Sequence, residues 1–206
     1  MNRYLLCSVR RLEAAERNAV VRLGGWCFRH RGWLPAPLII AALVVGSPTN
    51  ASLVLGSLLM LFGEAGRIWA ARHIGRQSRT RDEGAGALAC GGPYRYVRNP
   101  LYVFNLLLHI GVAVAMNSIA AWVLPLGIAA LYAVVVRWEE TQVLAVHGDT
   151  YRTYTEKVGR FLPTRPPLES RPPTVSLAGA LSAERGTFVV MAVVLLAMWS
   201  RSVWPL

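Results

Sequence analysis

The chain has 206 residues, 54% of them hydrophobic, and a formal net charge of +11. That length suits one domain, and the apolar content places it in the membrane class. The basic residues alternate with apolar stretches instead of gathering in one patch, which excludes a nucleic-acid-binding protein.

Residues 1–32 form a basic amphipathic segment. Leu5, Val9, Leu12, Ala19 and Leu23 recur at helical spacing, with Arg10, Arg11, Arg17 and Arg22 available to anionic headgroups. A helix lying in the interface over 4–24 and a frayed basic tail both fit that pattern. No small-residue cleavage site follows an apolar run, so no removable signal peptide is expected. Apolar stretches follow at about 33–48, 51–71, 100–116, 119–137 and 186–204, against the roughly 20 residues a spanning helix needs. The first is short, bounded by Pro35, Pro37 and Pro48. With these stretches alternating direction, every basic residue except Arg201 falls on one face. The positive-inside rule makes that face, and the N-terminus, cytoplasmic. The expected fold is therefore an all-α, polytopic membrane bundle of about five transmembrane helices, with residues 33–71 supplying the first two.

Residues 72–163 form the next unit. An Arg- and Gly-rich stretch, 72–92, reads as a cytoplasmic loop. The hairpin 100–137 turns near Met116, Asn117 and Ser118 without a charge. Residues 138–162 read as a separate surface helix capped by Asp149, with Tyr151, Tyr154 and Val158 on one face. A Pro-rich linker, 164–185, leads into a last span over 186–206 that ends near Trp199 and Trp204. The three cysteines (Cys7, Cys27, Cys90) form no disulfide framework, and the four scattered histidines show no metal-ligand spacing. No metal is expected.

Chemistry concentrates at the hairpin's two ends. Asn99-Pro100 is a helix-start signature, with Asn capping backbone donors and Pro at the first position, where it has none to waste. Free N–H groups and Arg98 suit a carboxylate or phosphate there. Tyr94 and Tyr96 offer flat faces to a base or cation. The same residues also suit an ordinary interfacial turn of snorkelling Arg and belt Tyr. At the other end, Glu139 and Glu140 repel one another and call for a cation, from Arg137, from the 72–98 loop or from a ligand; a solvated acidic pair is the plainer alternative. Tyr102, Asn105 and His109 form a polar stripe, read as interhelical hydrogen bonding or as a tunnel for a lipid. Glu64 and Arg67 read as a local pair without chemistry.

Gly92-Pro93-Tyr94-Arg95-Tyr96-Val97-Arg98-Asn99-Pro100-Leu101-Tyr102 resembles the signature of the isoprenylcysteine carboxyl methyltransferase family and its bacterial and phospholipid-methylating relatives. Glu139-Glu140, followed by Leu144, Gly148, Tyr151, Tyr154, Val158 and Pro163, resembles the family's closing segment, so the likeness covers residues 75–163. It implies an integral membrane enzyme using S-adenosyl-L-methionine without a Rossmann domain, in keeping with the missing glycine-rich fingerprint. By position it nominates Leu88, Tyr94, Arg98, Asn99, Pro100, Leu101, Tyr102 and Glu140 for the cofactor and Arg137 for the acceptor. Many relatives carry His where this chain has Asn99, so a role there rests on hydrogen bonding, not on an ionisable ring. A carboxylate acceptor needs no base, whereas an amine would, and Glu139 is the nearest candidate. The implied partners are membrane lipids and a lipidic or hydrophobic methyl acceptor. A prenylated cysteine carboxylate and a phospholipid amine both remain open, as does a sterol-reductase-like enzyme using NADPH.

Overall fold

The computed structural model describes residues 19–74, 88–163, 169 and 172–203. Among them the regular structure is helical throughout, and one isolated parallel bridge joins Val97 to Gly159. The helices are α1 (Ala19–His30), α2 (Ala36–Val45), α3 (Asn50–Ile74), α4 (Pro100–Met116), α5 (Val123–Lys157) and α6 (Leu177–Val203). Short 3₁₀ turns, Gly92–Arg95 and Ile119–Trp122, precede α4 and α5.

Among the described residues, three helical stretches are long and apolar enough to cross a membrane: Asn50–Ile74, Ile119–Lys157 and Leu177–Val203. Ala36–Val45 and Pro100–Met116 are apolar but shorter. Ten residues rise only about 15 Å, so the expected first span, 33–48, is not a full span by itself. Its helix is cut by the prolines and glycines around it, with Gly32 and Pro35 in the turn behind and Gly46 and Pro48 ahead. That turn still carries helix-like bonds, Leu34 N–H to the His30 carbonyl at 3.2 Å and Ala36 N–H to the Trp33 carbonyl at 2.9 Å. α1 and α2 then run antiparallel to α5. Leu38 lies against Gly127, while Gly24 and Gly25 lie against Val134 and Trp138. The 19–30 part of the basic segment is thus packed into the bundle, and residues 1–18 lie outside the described residues.

α3 and α4 form the closest pair. On α3 the small residues Gly56, Gly63 and Gly66 face Gly111, Ala115 and Phe104 of α4, the small-residue contact that lets membrane helices approach. Thr49 and Ser52 start α3 with reciprocal side-chain to backbone bonds of 2.9 and 3.1 Å, a capping box. The uncharged hairpin turn forms as read: Asn117 takes the left-handed conformation (φ 47°) at the end of α4, a favoured helix stop. The main core lies among α2–α6, with Leu53, Met116, Leu124, Ile128 and Met198 fully buried.

Two boundaries differ from the sequence reading. Residues 138–147 continue α5, and the chain then breaks at Gly148 (φ 53°, ψ −125°), one residue before Asp149, so that a short second helix carries Tyr151 and Tyr154. The run up to Gly148, about 25 residues or roughly 37 Å, already outruns a hydrocarbon core of about 30 Å. The last helix starts at Leu177, nine residues earlier than expected. Hydropathy stopped it at Glu184-Arg185, but the Glu184 carboxylate is buried against Arg67 at 2.6 Å.

Candidate active site

The start of α4 and the middle of α5 meet on one carboxylate. Glu140 receives Arg98 Nε at 3.0 Å, Asn99 Nδ2 at 3.1 Å and Arg160 Nη2 at 2.7 Å. Arg160 Nε reaches both carboxylate oxygens, at 3.2 and 3.1 Å. Arg98 is also the tie between α4 and the segment after α5. Its Nη1 donates to the Thr155 and Val158 carbonyls at 3.1 and 3.2 Å, and its backbone N–H to Gly159 at 2.8 Å. Such charge-assisted bonds are shorter and stronger than neutral ones. Hydrogen bonding to Glu140 raises the Arg160 pKa further above its ordinary range.

Asn99 occupies the position before α4, yet its side chain makes no cap bond. Nδ2 goes to Glu140 and to the Arg160 carbonyl at 3.3 Å. Capping would use Oδ1 as acceptor, and the bonds observed are Nδ2 donations that aim the amide at the anionic Glu140 carboxylate. Pro100 does take the first helical position and is buried.

The 3₁₀ turn sets the other wall. Gly92 has φ +51°, and a Cβ there would stand 2.4 Å from His73 Nδ1. Only glycine satisfies both the conformation and the contact. Tyr94 follows, 5% exposed, and its hydroxyl is buried without a hydrogen-bond partner among the described residues. The Tyr94 backbone carbonyl accepts from the Tyr154 hydroxyl at 2.7 Å. Tyr151, Tyr154 and Val158 share one buried face, as the sequence spacing indicated, and Leu88 and Cys90 pack on it. Leu101 is half-buried on the first turn of α4.

Glu139 lies toward α4. The Tyr102 hydroxyl donates to it, and Arg31, just past α1, is the cation whose field reaches it. The polar stripe faces the bundle. Asn105 donates to the Tyr132 hydroxyl of α5, and the Tyr102 and Tyr132 rings meet edge-on at 4.7 Å. His109 Nδ1 donates to the Asn105 carbonyl at 2.7 Å, so that nitrogen carries the proton. The Asn105–Tyr132 bond is interhelical, of the kind that holds membrane bundles, whereas the His109 bond stays within α4.

Arg98, Asn99, Tyr102, Glu139 and Glu140 therefore come together, with Tyr94 and Leu88 on the adjoining wall. Arg137 stands apart, exposed and donating to the Ala133 carbonyl of its own helix at 2.9 Å. Sequence reasoning missed Arg31 and Arg160. Arg160's available signal was its place two residues past Val158 in the closing segment. It also missed the partner of Arg67. That guanidinium bonds Glu64 at 3.1 Å and Glu184 at 2.6 Å, joining α3 to α6.

Residues 51–150 match the model of the family described as phospholipid methyltransferase. That stretch, just under half of the chain, is a phospholipid methyltransferase-family region. The matched stretch carries α3, α4, most of α5 and the Arg98–Asn99–Glu140 junction, and with the apolar helices it supports an integral membrane protein. The chain is also similar to cobalt-zinc-cadmium resistance protein CzcN of Cupriavidus metallidurans, 35% identical over 54% of this chain and 49% of that protein. It is 28% identical to nickel-cobalt-cadmium resistance protein NccN of Alcaligenes xylosoxydans xylosoxydans, over 61% of this chain and 60% of the relative. The alignments thus span about half to three fifths of these curated relatives. No solved structure matches the chain. Among the described residues, no three His, Cys, Asp or Glu side chains gather as a metal site.

Proposed function

We propose that the chain transfers a methyl group from S-adenosyl-L-methionine to a lipidic or hydrophobic acceptor at the cytoplasmic face of the membrane. The observation that carries this reading is the junction at Glu140, where residues 42 and 41 positions away, Arg98 and Asn99, close on one carboxylate. The residues present fit the cofactor's chemistry. Its carboxylate suits the positive excess of Arg98 and Arg160 around Glu140, and its ammonium and sulfonium suit Glu139 and Glu140. The buried Tyr94 hydroxyl, which has no partner among the described residues, has hydrogen-bonding capacity to offer a ligand. Leu88, on the Tyr151–Tyr154 face, supplies apolar wall.

When bound, S-adenosyl-L-methionine supplies an electrophilic methyl group. Displacement at such a group needs alignment and dryness more than acid or base. Arg98, Asn99 and Glu140 hold the start of α4 against α5, and Tyr94 and Tyr154 fix the overlying loop. Arg160 is the member of the cluster most able to exchange partners, since its side chain is 41% exposed against 12% for Arg98. A carboxylate acceptor, as in isoprenylcysteine esterification, attacks unaided. A phospholipid amine would have to lose a proton, for which Glu139, beside Tyr102, is placed as base. Arg137, exposed on α5, remains the candidate for steering an anionic acceptor.

Membranes containing the chain, incubated with a heavy-methyl cofactor, should yield a labelled lipid by mass spectrometry that membranes with Glu140→Gln lack. A melting temperature raised by NADPH and not by S-adenosyl-L-methionine would favour the reductase reading instead.

A further inference from the structure

On its α1-facing side, away from the Glu140 cluster, α5 borders a cleft of about 330 Å³ lined by Val21, Arg22, Gly25, Arg29 and Trp138. Arg22, Gly25 and Arg29 lie at i, i+3 and i+7, one stripe of α1. Gly25 opens the cleft onto the indole, since a Cβ there would stand 2.9 Å from Trp138 Nε1. Trp138 is held from behind by the Phe28 ring at 4.6 Å. Both arginines are exposed, and no acid lines the cleft. Neither guanidinium has an ion-pair partner among the described residues.

Two guanidiniums and an indole N–H, all donors, make a site for an oxyanion. Arginine's fork suits phosphate in particular. The flanking surface suits hydrocarbon. Leu23 and Trp26, 52% and 42% exposed, stand beside the basic stripe on the same helix. Depth fits as well, because Trp138 directly precedes Glu139, so the cleft is level with the end of the bundle where Arg98 and Arg160 gather. Tryptophan is enriched at that level of a bilayer.

We propose that this cleft binds the headgroup of an anionic phospholipid, its phosphate between Arg22 and Arg29 and its acyl chains along Leu23 and Trp26. The proposal depends on the membrane placement of the chain and not on methyl transfer, so either reading survives failure of the other. It also gives the docked basic helix a task beyond packing.

The test is native mass spectrometry of the full chain in detergent, titrated with dioleoyl phosphatidylglycerol or dioleoyl phosphatidylcholine. The wild type should retain phosphatidylglycerol preferentially, and Arg22→Gln/Arg29→Gln should weaken that retention on the order of tenfold. Arg152→Gln/Lys157→Gln removes the same charge from the end of α5 and should leave retention unchanged. Inorganic phosphate separates the sources. Failure of millimolar phosphate to displace the lipid supports a lipid headgroup as the natural occupant. Displacement would show that a free anion suffices and would overturn the lipid assignment. Equal retention by wild type and Arg22→Gln/Arg29→Gln, or equal retention of both lipids, also overturns it. Labelled S-adenosyl-L-methionine binding, measured in parallel, should be the same in the wild type and Arg22→Gln/Arg29→Gln.

Discussion

Two ionic clusters divide the work of this bundle, and they differ in depth and in which member is shared. At the Glu140 junction two arginines and an amide of the described residues meet on one carboxylate. Between α3 and α6 one guanidinium, Arg67, is shared by two carboxylates, Glu64 and Glu184. The second is deep: the three side chains are 12%, 4% and 1% exposed, and Thr187 adds a bond to Arg67 at 3.2 Å. The first opens to solvent through Arg160. Deep ion clusters tie helices together, because a buried charge that loses its partner finds little water to replace it. An edge cluster with one exposed member can trade that member for a ligand.

Removing the shared member of the deep cluster should have the largest effect. Arg67→Met takes the shared guanidinium from two buried carboxylates, and breaking such a cluster costs about 3–5 kcal/mol. Thermal unfolding in detergent should show that loss, with α6 released first to limited proteolysis. Unchanged stability would mean that the two helices are held by apolar packing alone. Next is Arg98→Gln, which empties two bonds to Glu140 and two to the Thr155 and Val158 carbonyls. A destabilisation of about 2–3 kcal/mol is expected, with faster hydrogen exchange confined to residues 154–160. Glu184→Gln should cost less, about 1–2 kcal/mol, since Arg67 keeps Glu64. A loss as large as that of Arg67→Met would refute this ranking. Arg160→Gln should be mildest, below about 1 kcal/mol for so exposed a pair, with its effect in ligand affinity instead of melting temperature.

The same contrast explains what was legible in the sequence. The Glu140 junction was readable because both halves sit in recognisable blocks joined by one hairpin, and an uncharged turn between charged ends forces those ends together. The buried face of Tyr151, Tyr154 and Val158 followed from helical spacing. Arg67 with Glu184 was not readable, since the partners are 117 residues apart and hydropathy treats Glu184 as a helix end. The shortness of α2 and the continuity of α5 were missed for a related reason. Apolar content locates membrane segments, but helix ends are decided by backbone, here the Gly32–Pro35 turn and Gly148. The Asn99 side chain misled in the opposite sense. Instead of capping, its amide donates to a long-range carboxylate.

A binding measurement with labelled S-adenosyl-L-methionine on the purified full chain, comparing wild type with Glu140→Gln, tests the central claim most directly. The account predicts saturable binding by the wild type and affinity lower by about tenfold or more in the variant, whose neutral amide leaves Arg98 and Arg160 facing each other. Equal binding by the two proteins, or none by the wild type, would contradict it.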